Sequence, residues 1–257
     1  MATKDDNSIE EADDLYKKGK YAAAISLYEK TIDESSAKES LLSYAESLRL
    51  TNNCPKALDV YDQILSSDSN YVAAIEGKGL CKVVQGKFQD AVELLSHVVR
   101  SDSAKWRSIN ALGVIYALNG HMDESMEYYN LAIQSNGHNP SILNNIGLSL
   151  AFSGDYQRGT TILEKSLSLV KSSDTQKIKR IEMNLALIYG LAGQTEQAQE
   201  ILEKHFSKAE VMNNLGFYAS LANDAKLAKS YLAKALSISP SHYEKAWNNL
   251  NALDTSG

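Results

Sequence analysis

The chain has 257 residues, a formal net charge of −6, 14 glycines and only 3 prolines. An acidic chain lacks the basic face that nucleic acids and anionic membrane surfaces require, and no stretch approaches the ~18 apolar residues of a membrane helix. Hydrophobic residues make up 44%, as in soluble folded proteins. The scarcity of proline, together with abundant Ala, Leu, Ser, Lys and Glu, favours a helical protein.

The two cysteines, Cys54 and Cys81, are too few for a disulfide framework and show no metal-ligand spacing. We therefore expect both to be ordinary thiols. The first residues, Met1–Asp6, are polar and acidic, so the sequence as it begins here carries no signal peptide. A native start further upstream that encodes one stays open as an alternative.

Glycines in the middle of the chain reveal an internal period. Two series each repeat every 34 residues: Gly79, Gly113 and Gly147, and Gly86, Gly120 and Gly154. A small residue recurs in every unit, and a bulky one follows it by four, on the same helical face. The small residues are Ala24, Ala57, Ala91, Ser125, Gly159, Ala198 and Ala228, and the bulky ones Tyr28, Tyr61, Leu95, Tyr129, Leu163, Leu202 and Leu232. The small residue predicts that two helices approach closely there.

Each unit is interpreted as two helices. In the fourth unit, Trp106–Leu118 has apolar residues at helical spacing, Asn119-Gly120 ends this helix, and a second helix runs from about Met122 to Gln134. The seven predicted units are residues 5–38, 38–71, 72–105, 106–139, 140–173, 179–208 and 209–242. Residues 1–4 are a predicted flexible tail, and residues 243–257 a capping helix and tail.

Two irregular spacings interrupt the period. Five extra residues near 171–177 are expected to lengthen a helix end or a loop, and four missing near 206–210 to tighten a connection. Both should change the local superhelix without ending it.

Two segments match the second helix of a tetratricopeptide repeat (TPR): GKYAAAISLYEKTI at Gly19–Ile32 and AKLAKSYLAKALSISP at Ala225–Pro240. The chain resembles TPR proteins from about Asp5 to Asp254, with Asn52 and Asn223 standing where glycine is usual. The resemblance implies an all-α fold. We expect a right-handed α-α superhelix, a TPR solenoid of about seven helix-turn-helix repeats plus a C-terminal capping helix.

The sequence contains no constellation of catalytic residues: G-x-S-x-G, H-E-x-x-H, Walker A and C-x-x-C motifs are all missing. Gly77-Lys78-Gly79 resembles part of a phosphate loop but falls within a repeat helix. The histidines are scattered over different repeats, where we expect structural roles: His97, His121, His138, His205 and His242. The sequence thus predicts no enzyme, no cofactor and no metal site.

The first helix of each unit lines the concave surface of TPR proteins in general, and such a surface can bind an extended or helical segment of another protein. Projecting the exposed side of the first helices in units four to seven gives a candidate partner groove. Its residues are Arg107, Asn110, Val114, Leu118, Asn144, Asn145, Leu148, Phe152, Arg180, Asn184, Leu187, Leu191, Asn213, Asn214, Phe217 and Leu221.

Two rows of side chains stand out within this groove. An asparagine recurs once per repeat, at Asn145, Asn184 and Asn214. An amide both donates and accepts, so it can pair with a peptide backbone; the alternative, that these residues tie one helix to its neighbour, stays open. An apolar strip lies one turn along, at Val114, Leu148, Leu187 and Phe217. This strip either contacts a partner or is buried by the stack itself.

Units one and two differ because their projected faces are acidic. They carry Asp6, Glu10, Asp13, Glu39 and Glu46, so this half is expected to serve another partner, or none. Some TPR adaptors hold the C-terminal carboxylate of chaperones with a set of Lys, Asn and Arg residues. That set is not assembled in register here, and a chaperone-tail adaptor is therefore not expected.

Three segments of the C-terminal half carry a closer resemblance. They are INALGVIYALNGHMDESMEYYNLAI at Ile109–Ile133, ILNNIGLSLAFSGDYQRGTTILEKSL at Ile142–Leu167 and RIEMNLALIYGLAGQTEQA at Arg180–Ala198. Their order resembles the TadD family, the TPR lipoproteins of Tad (tight adherence, Flp-type) pilus systems. The resemblance implies a periplasmic protein anchored to the outer membrane by a lipidated N-terminal Cys. It also implies a role in assembling or placing the secretin channel or other pilus components.

The sequence as given lacks that signal and that lipidation Cys. A cytoplasmic TPR adaptor or secretion chaperone is therefore kept as the alternative. The native gene start separates the two, because a signal sequence ending at Cys favours the pilus lipoprotein.

Overall fold

The structure, a computed structural model, describes residues 4–33, 36–101, 105–239 and 243–255. Within these ranges the chain forms fifteen helices and no strand, which confirms the all-α fold class. The helices are α1 Lys4–Lys17, α2 Tyr21–Thr31, α3 Lys38–Leu50, α4 Cys54–Ser67, α5 Val72–Val84, α6 Phe88–Ser101, α7 Trp106–Leu118, α8 Met122–Asn136, α9 Pro140–Phe152, α10 Tyr156–Ser168, α11 Thr175–Leu191, α12 Thr195–Glu203, α13 Lys208–Leu221, α14 Ala225–Ile238 and α15 Glu244–Thr255.

Parts of the predicted ends fall outside this description. Residues 1–3 of the predicted tail, residues 240–242 with His242, and residues 256–257 lie outside the described residues. Lys4, placed in the tail by the sequence, is the first residue of α1. The predicted capping helix corresponds to α15.

The helices divide into two compact units, Met1–Asn136 with α1 to α8 and Gly137–Gly257 with α9 to α15. In each unit, every odd-numbered helix up to α13 forms a hairpin with the helix that follows it. Each odd-numbered helix also contacts the odd-numbered helix of an adjacent hairpin. Within the described ranges, no two even-numbered helices contact each other. The first helices are therefore closer together than the second helices, which curves each unit. The odd-numbered first helices form its inner side.

The two helices of a hairpin meet where the sequence has its small residues. A Cβ built on Gly147 would lie 2.8 Å from Cγ of Leu163, and one built on Gly159 would lie 2.8 Å from the carbonyl oxygen of Gly147. Neither distance is compatible with a real side chain, so the two backbones touch. The glycine costs roughly 1 kcal/mol of helix propensity, and this contact compensates for it.

The fourth hairpin shows the same contact with a different pair of residues. The Tyr129 ring packs directly against Gly113. A Cβ built on this glycine would lie 2.8 Å from Cε1 of the ring. Ser125, which stands where alanine is usual, donates a hydrogen bond of 2.8 Å from its Oγ to the carbonyl oxygen of Gly113. Serine is therefore tolerated between the two closely packed helices, because its hydroxyl is hydrogen-bonded to the backbone of the opposite helix.

Asparagine replaces glycine at two of the turns between paired helices. Asn52 and Asn223 have φ of 63° and 61°, in the left-handed region that non-glycine residues seldom adopt. Asparagine tolerates this conformation better than most residues. Both departures from the repeat pattern therefore preserve the turn.

The irregular spacings have a structural counterpart in the second unit. The five extra residues lengthen a helix, since α11 has 17 residues and begins at Thr175. The helix after it, α12, has only 9 residues and is followed at once by a capping box in which Ser207 and Glu210 bond each other's backbone. The repeat therefore absorbs both irregularities within one hairpin.

The expectation for the cysteines is wrong, because Cys54 and Cys81 form a disulfide. The sequence places them 27 residues apart, but α4 and α5 run antiparallel, so the first residue of α4 lies beside the last turn of α5. Their Cα atoms are 5.4 Å apart, within the ordinary range for a disulfide. Both side chains are buried in the core. Closing a loop of this length stabilises a fold by roughly 3–4 kcal/mol in the chain-entropy estimate.

Candidate partner-binding surface

All sixteen predicted groove residues lie on first helices, and therefore on the inner side of their units. Those on α7 belong to the N-terminal unit: Arg107, Asn110, Val114 and Leu118. The other twelve, which we call the C-terminal groove, lie on α9, α11 and α13: Asn144, Asn145, Leu148, Phe152, Arg180, Asn184, Leu187, Leu191, Asn213, Asn214, Phe217 and Leu221.

The last turns of α9 and α13 present apolar side chains to solvent. In the C-terminal groove Phe152 is 61% exposed, Phe217 44% and Leu221 43%. Soluble proteins bury most large apolar side chains, so a row of them on an inner surface is typical of a binding site. Leu148 and Leu187, from the predicted strip, are half-buried. The stack therefore covers part of the strip and leaves Phe217 accessible.

Sequence reasoning missed two exposed apolar residues of the N-terminal unit. Leu50 and Val84 end α3 and α5 as Leu118 ends α7, and all three are exposed. The signal was present in the sequence, because each residue follows the small residue of its first helix by five, as Leu118 follows Gly113. The N-terminal unit thus carries an apolar row of its own.

The asparagines of the C-terminal groove are bonded mainly to each other. The amide of Asn184 donates to Oδ1 of Asn144 at 2.7 Å, and the amide of Asn249 donates to Oδ1 of Asn213 at 3.0 Å. These bonds join α11 to α9 and α15 to α13, so Asn184 links neighbouring repeats. Among the described residues the side chain of Asn214 has no hydrogen-bond partner, and the residue is half-buried. The ladder interpretation therefore describes Asn184, and Asn214 remains the available amide.

Within the described ranges, the side chains of Asn145 and Asn110 make weaker hydrogen bonds or none. Asn145 accepts a long bond of 3.4 Å from the amide of Asn144, within the same helix. Asn110, on α7, is buried, and its Oδ1 has no hydrogen-bond partner among the described residues. The asparagine side chains therefore differ from one repeat to the next in their hydrogen-bond partners, and the prediction that they pair with a partner's backbone stays a prediction.

The acidic face predicted for the N-terminal unit contains two carboxylates that hold the stack together. Asp13 accepts hydrogen bonds from Tyr28 and Ser40. Glu46 is buried and accepts from Tyr61 and from Nε and Nη2 of Arg49. Glu10 and Glu39 are exposed, whereas the side chain of Asp6 lies outside the described residues.

The environment of Glu46 fixes its charge. Burial alone would raise the pKa of this carboxyl, but the hydrogen bond and charge of Arg49, the hydroxyl of Tyr61 and the charge of Arg107 together hold it below its usual range. The same burial and the adjacent carboxylate raise the pKa of Tyr61. Glu46 therefore stays ionised within the fold and serves the packing of α3 on α4.

In the groove, asparagine amides lie beside apolar side chains, a combination suited to binding a peptide segment. Within those residues, no group of three or more His, Cys, Asp or Glu side chains is arranged to hold a metal ion. None of the described helices is long and apolar enough to cross a membrane. His205 contacts Oε2 of Glu182 through Nε2 at 2.6 Å, a link between α11 and the residues after α12.

Replacing Asn184 with Ala should lower the free energy of unfolding by about 1–2 kcal/mol, because Oδ1 of the buried Asn144 then loses its donor. The matched variant Asn214→Ala, in the next repeat, should change it by less than ~0.5 kcal/mol. Urea unfolding followed by circular dichroism measures both. Equal effects of the two variants would show that the bond between Asn184 and Asn144 does not support the stack.

Comparisons with known proteins agree with the helical repeats. A family model described as anaphase-promoting complex, cyclosome, subunit 3 matches residues 17–98, and two models described as tetratricopeptide repeat match residues 78–140 and 209–242. No curated protein sequence matches the chain.

Solved structures with the same fold have low sequence identity to this chain. A tetratricopeptide repeat protein from Parabacteroides merdae is 15% identical with a TM-score of 0.63, over 97% of this chain and 98% of that one. Pseudomonas aeruginosa pilF is 15% identical with a TM-score of 0.57, over 87% of this chain and 99% of that one. The Cut9–Hcn1 structure of the APC/C is 18% identical with a TM-score of 0.68, over 94% of this chain and 48% of that one.

At these identities the solved structures show the fold alone. Tetratricopeptide repeat proteins are in general non-enzymatic scaffolds that bind other proteins or peptides. Residues 78–140 and 209–242 match tetratricopeptide repeat models, and the fold of the chain is that of a tetratricopeptide repeat solenoid.

Proposed function

We propose that this scaffold is an accessory protein of Tad/Flp-type pilus assembly or secretion, and that its C-terminal groove binds a segment of a pilus component such as the secretin. The observation that carries the binding role is the exposure of Phe152, Phe217 and Leu221 on the inner side of the C-terminal unit. The pilus assignment rests on the resemblance of three C-terminal segments to the TadD family.

The energetics of the exposed row support a binding role. Burying an apolar side chain of this size stabilises a complex by roughly 1.5–3 kcal/mol when it is fully covered. Aromatic residues are enriched among those that dominate binding energy. Phe152 and Phe217 lie on α9 and α13, with α11 contacting both, so a partner that follows the layer can cover both rings.

The disulfide supports a periplasmic location over the cytoplasmic alternative. Disulfides persist in the bacterial periplasm, whereas cytosolic thiols are kept reduced. Cys54 and Cys81 are buried in the core, where a disulfide is shielded from exchange with external thiols. A cytoplasmic adaptor would keep the pair reduced and would gain nothing from their juxtaposition.

The groove can be tested with a variant that keeps the fold and removes the exposed rings. The double variant Phe152→Ser and Phe217→Ser should weaken binding to the purified secretin by roughly 2–3 kcal/mol, or about 30- to 150-fold in Kd. Leu169→Ser is the matched control, because Leu169 is 47% exposed but follows α10, a second helix. Biolayer interferometry with the secretin and with the other pilus components measures the change.

The control should bind as the unmodified chain does. If the double variant binds every pilus component with unchanged affinity, the groove is not the binding site. If the unmodified chain binds none of them, the pilus assignment fails.

The compartment can be tested in the source bacterium by trapping thiols in living cells. Because both cysteines are buried, the cells are quenched with acid and the thiols are alkylated in denaturant, before and after reduction. Cys54 and Cys81 should stay unmodified until a reductant is added, because the pair is oxidised. Fractionation should place the protein with periplasmic markers. Both thiols alkylated at once, in a protein that fractionates with the cytosol, would favour the cytoplasmic adaptor.

A further inference from the structure

A cleft with a volume of about 450 Å³ lies within the C-terminal unit, where the end of α11 faces α13 and α14. Its walls are polar and apolar in about equal parts, and the apolar side chains among them include Leu191, Ala192, Ala219, Ala222 and Leu227. Leu191 also belongs to the C-terminal groove, so the cleft opens beside the apolar row. A volume of this size is within the range of ordinary ligand pockets.

The packing of α11 on α13 explains why the cleft exists. A Cβ on Gly190 would lie 2.7 Å from Cβ of Tyr218, so the two helices touch at that point. Beyond this contact the walls carry the short side chains of Ala192 and Ala222, which leave the space between the helix ends unfilled. At the rim Leu227 is 37% exposed, an apolar surface without a cover in the described chain.

One charged side chain lines the cleft. Asp224 caps α14, with Oδ1 accepting a hydrogen bond of 2.9 Å from the backbone N–H of Leu227. Its side chain is exposed, and it forms no ion pair with the described residues. A carboxylate at the mouth of the cleft complements a cation and repels an anion.

We propose that this cleft anchors the bound partner segment through a large apolar side chain that has a Lys or Arg beside it. The apolar side chain fills the space between α11, α13 and α14, and the cation meets the Asp224 carboxylate. This inference rests on the proposed function, because it assigns an anchor to the segment that lies in the C-terminal groove. It adds a chemical requirement on the partner that the apolar row alone does not impose.

The requirement can be tested without the partner, using two small probes of similar size and opposite charge. The probes are 4-phenylbutylammonium and 4-phenylbutyrate, titrated into the full chain and followed by amide shifts in NMR spectra. The cation should shift resonances of Leu191, Ala222 and Leu227 with a Kd in the millimolar range, and the anion should bind at least about threefold more weakly.

Three variants separate the contributions of shape and charge. Asp224→Asn should remove the preference for the cation while keeping the fold, because asparagine is an equally good helix cap. Asp155→Asn is its matched control: Asp155 caps α10 through the backbone N–H of Arg158 but does not line the cleft, so the preference should persist. Ala222→Phe should fill the cleft from an exposed position and abolish binding of both probes.

Three results would overturn the inference. The first is an equal or greater affinity for the anion, and the second is resonance shifts that lie outside the cleft. The third is Ala222→Phe binding the secretin normally while Phe152→Ser with Phe217→Ser binds it weakly. That third result would leave the groove as the binding site and remove its anchor. Failure of the proposed function alone would instead appear as cation binding in the cleft without secretin binding by the unmodified chain.

Discussion

The fold depends on one contact that recurs in the helical hairpins, where a small residue lets two backbones touch and a bulky residue from the second helix covers the first. At Gly147 the partners are Gly159 and Leu163, and at Gly113 they are Ser125 and Tyr129. A methyl group added at either glycine would collide with its neighbours. Since a close-packed interior tolerates little change in volume, this contact fixes both the rotation and the height of one helix against the other.

The rotation fixed by this contact decides which side chains a partner can reach. With the glycine face of a first helix turned to its hairpin partner, the residue five positions later points away, at the end of the helix. That position is apolar in successive hairpins, from Leu50 to Leu118 in one unit and from Phe152 to Leu221 in the other. The packing that stabilises each hairpin and the exposure of its apolar end therefore have the same cause. A protein that binds others through this surface needs no moving part to present it.

Much of this architecture could be predicted from the sequence, because local periodicity determines it. The 34-residue spacing of Gly79, Gly113 and Gly147 gave the repeat, and the predicted bounds of α7 agree with the structure. The groove residues were assigned to the correct helices for the same reason. What periodicity could not give was the direction of individual polar side chains. Asn184 appeared equivalent to Asn214, yet its amide turns to Asn144, 40 residues earlier in the chain.

The disulfide and the cleft were missed because both depend on contacts between elements. Cys54 and Cys81 occur once each and follow no repeat, so no pattern pairs them; the antiparallel course of α4 and α5 does. The cleft arises from the small residues at the end of α11 and around α13, between the irregularly spaced hairpin and the next one. Glu46 illustrates the same limit, since a carboxylate on an exposed-looking face proved to be enclosed by Arg49 and Tyr61.

The central claim is that a partner binds the inner layer of first helices in the C-terminal unit. Hydrogen-exchange mass spectrometry of the chain with and without the purified secretin tests it most directly, because each helix gives separate peptides. We expect added protection in α9, α11 and α13, strongest around Phe152 and Phe217, with α10, α12 and α14 largely unchanged. Protection confined to the second helices, or spread equally over both layers, would contradict the account.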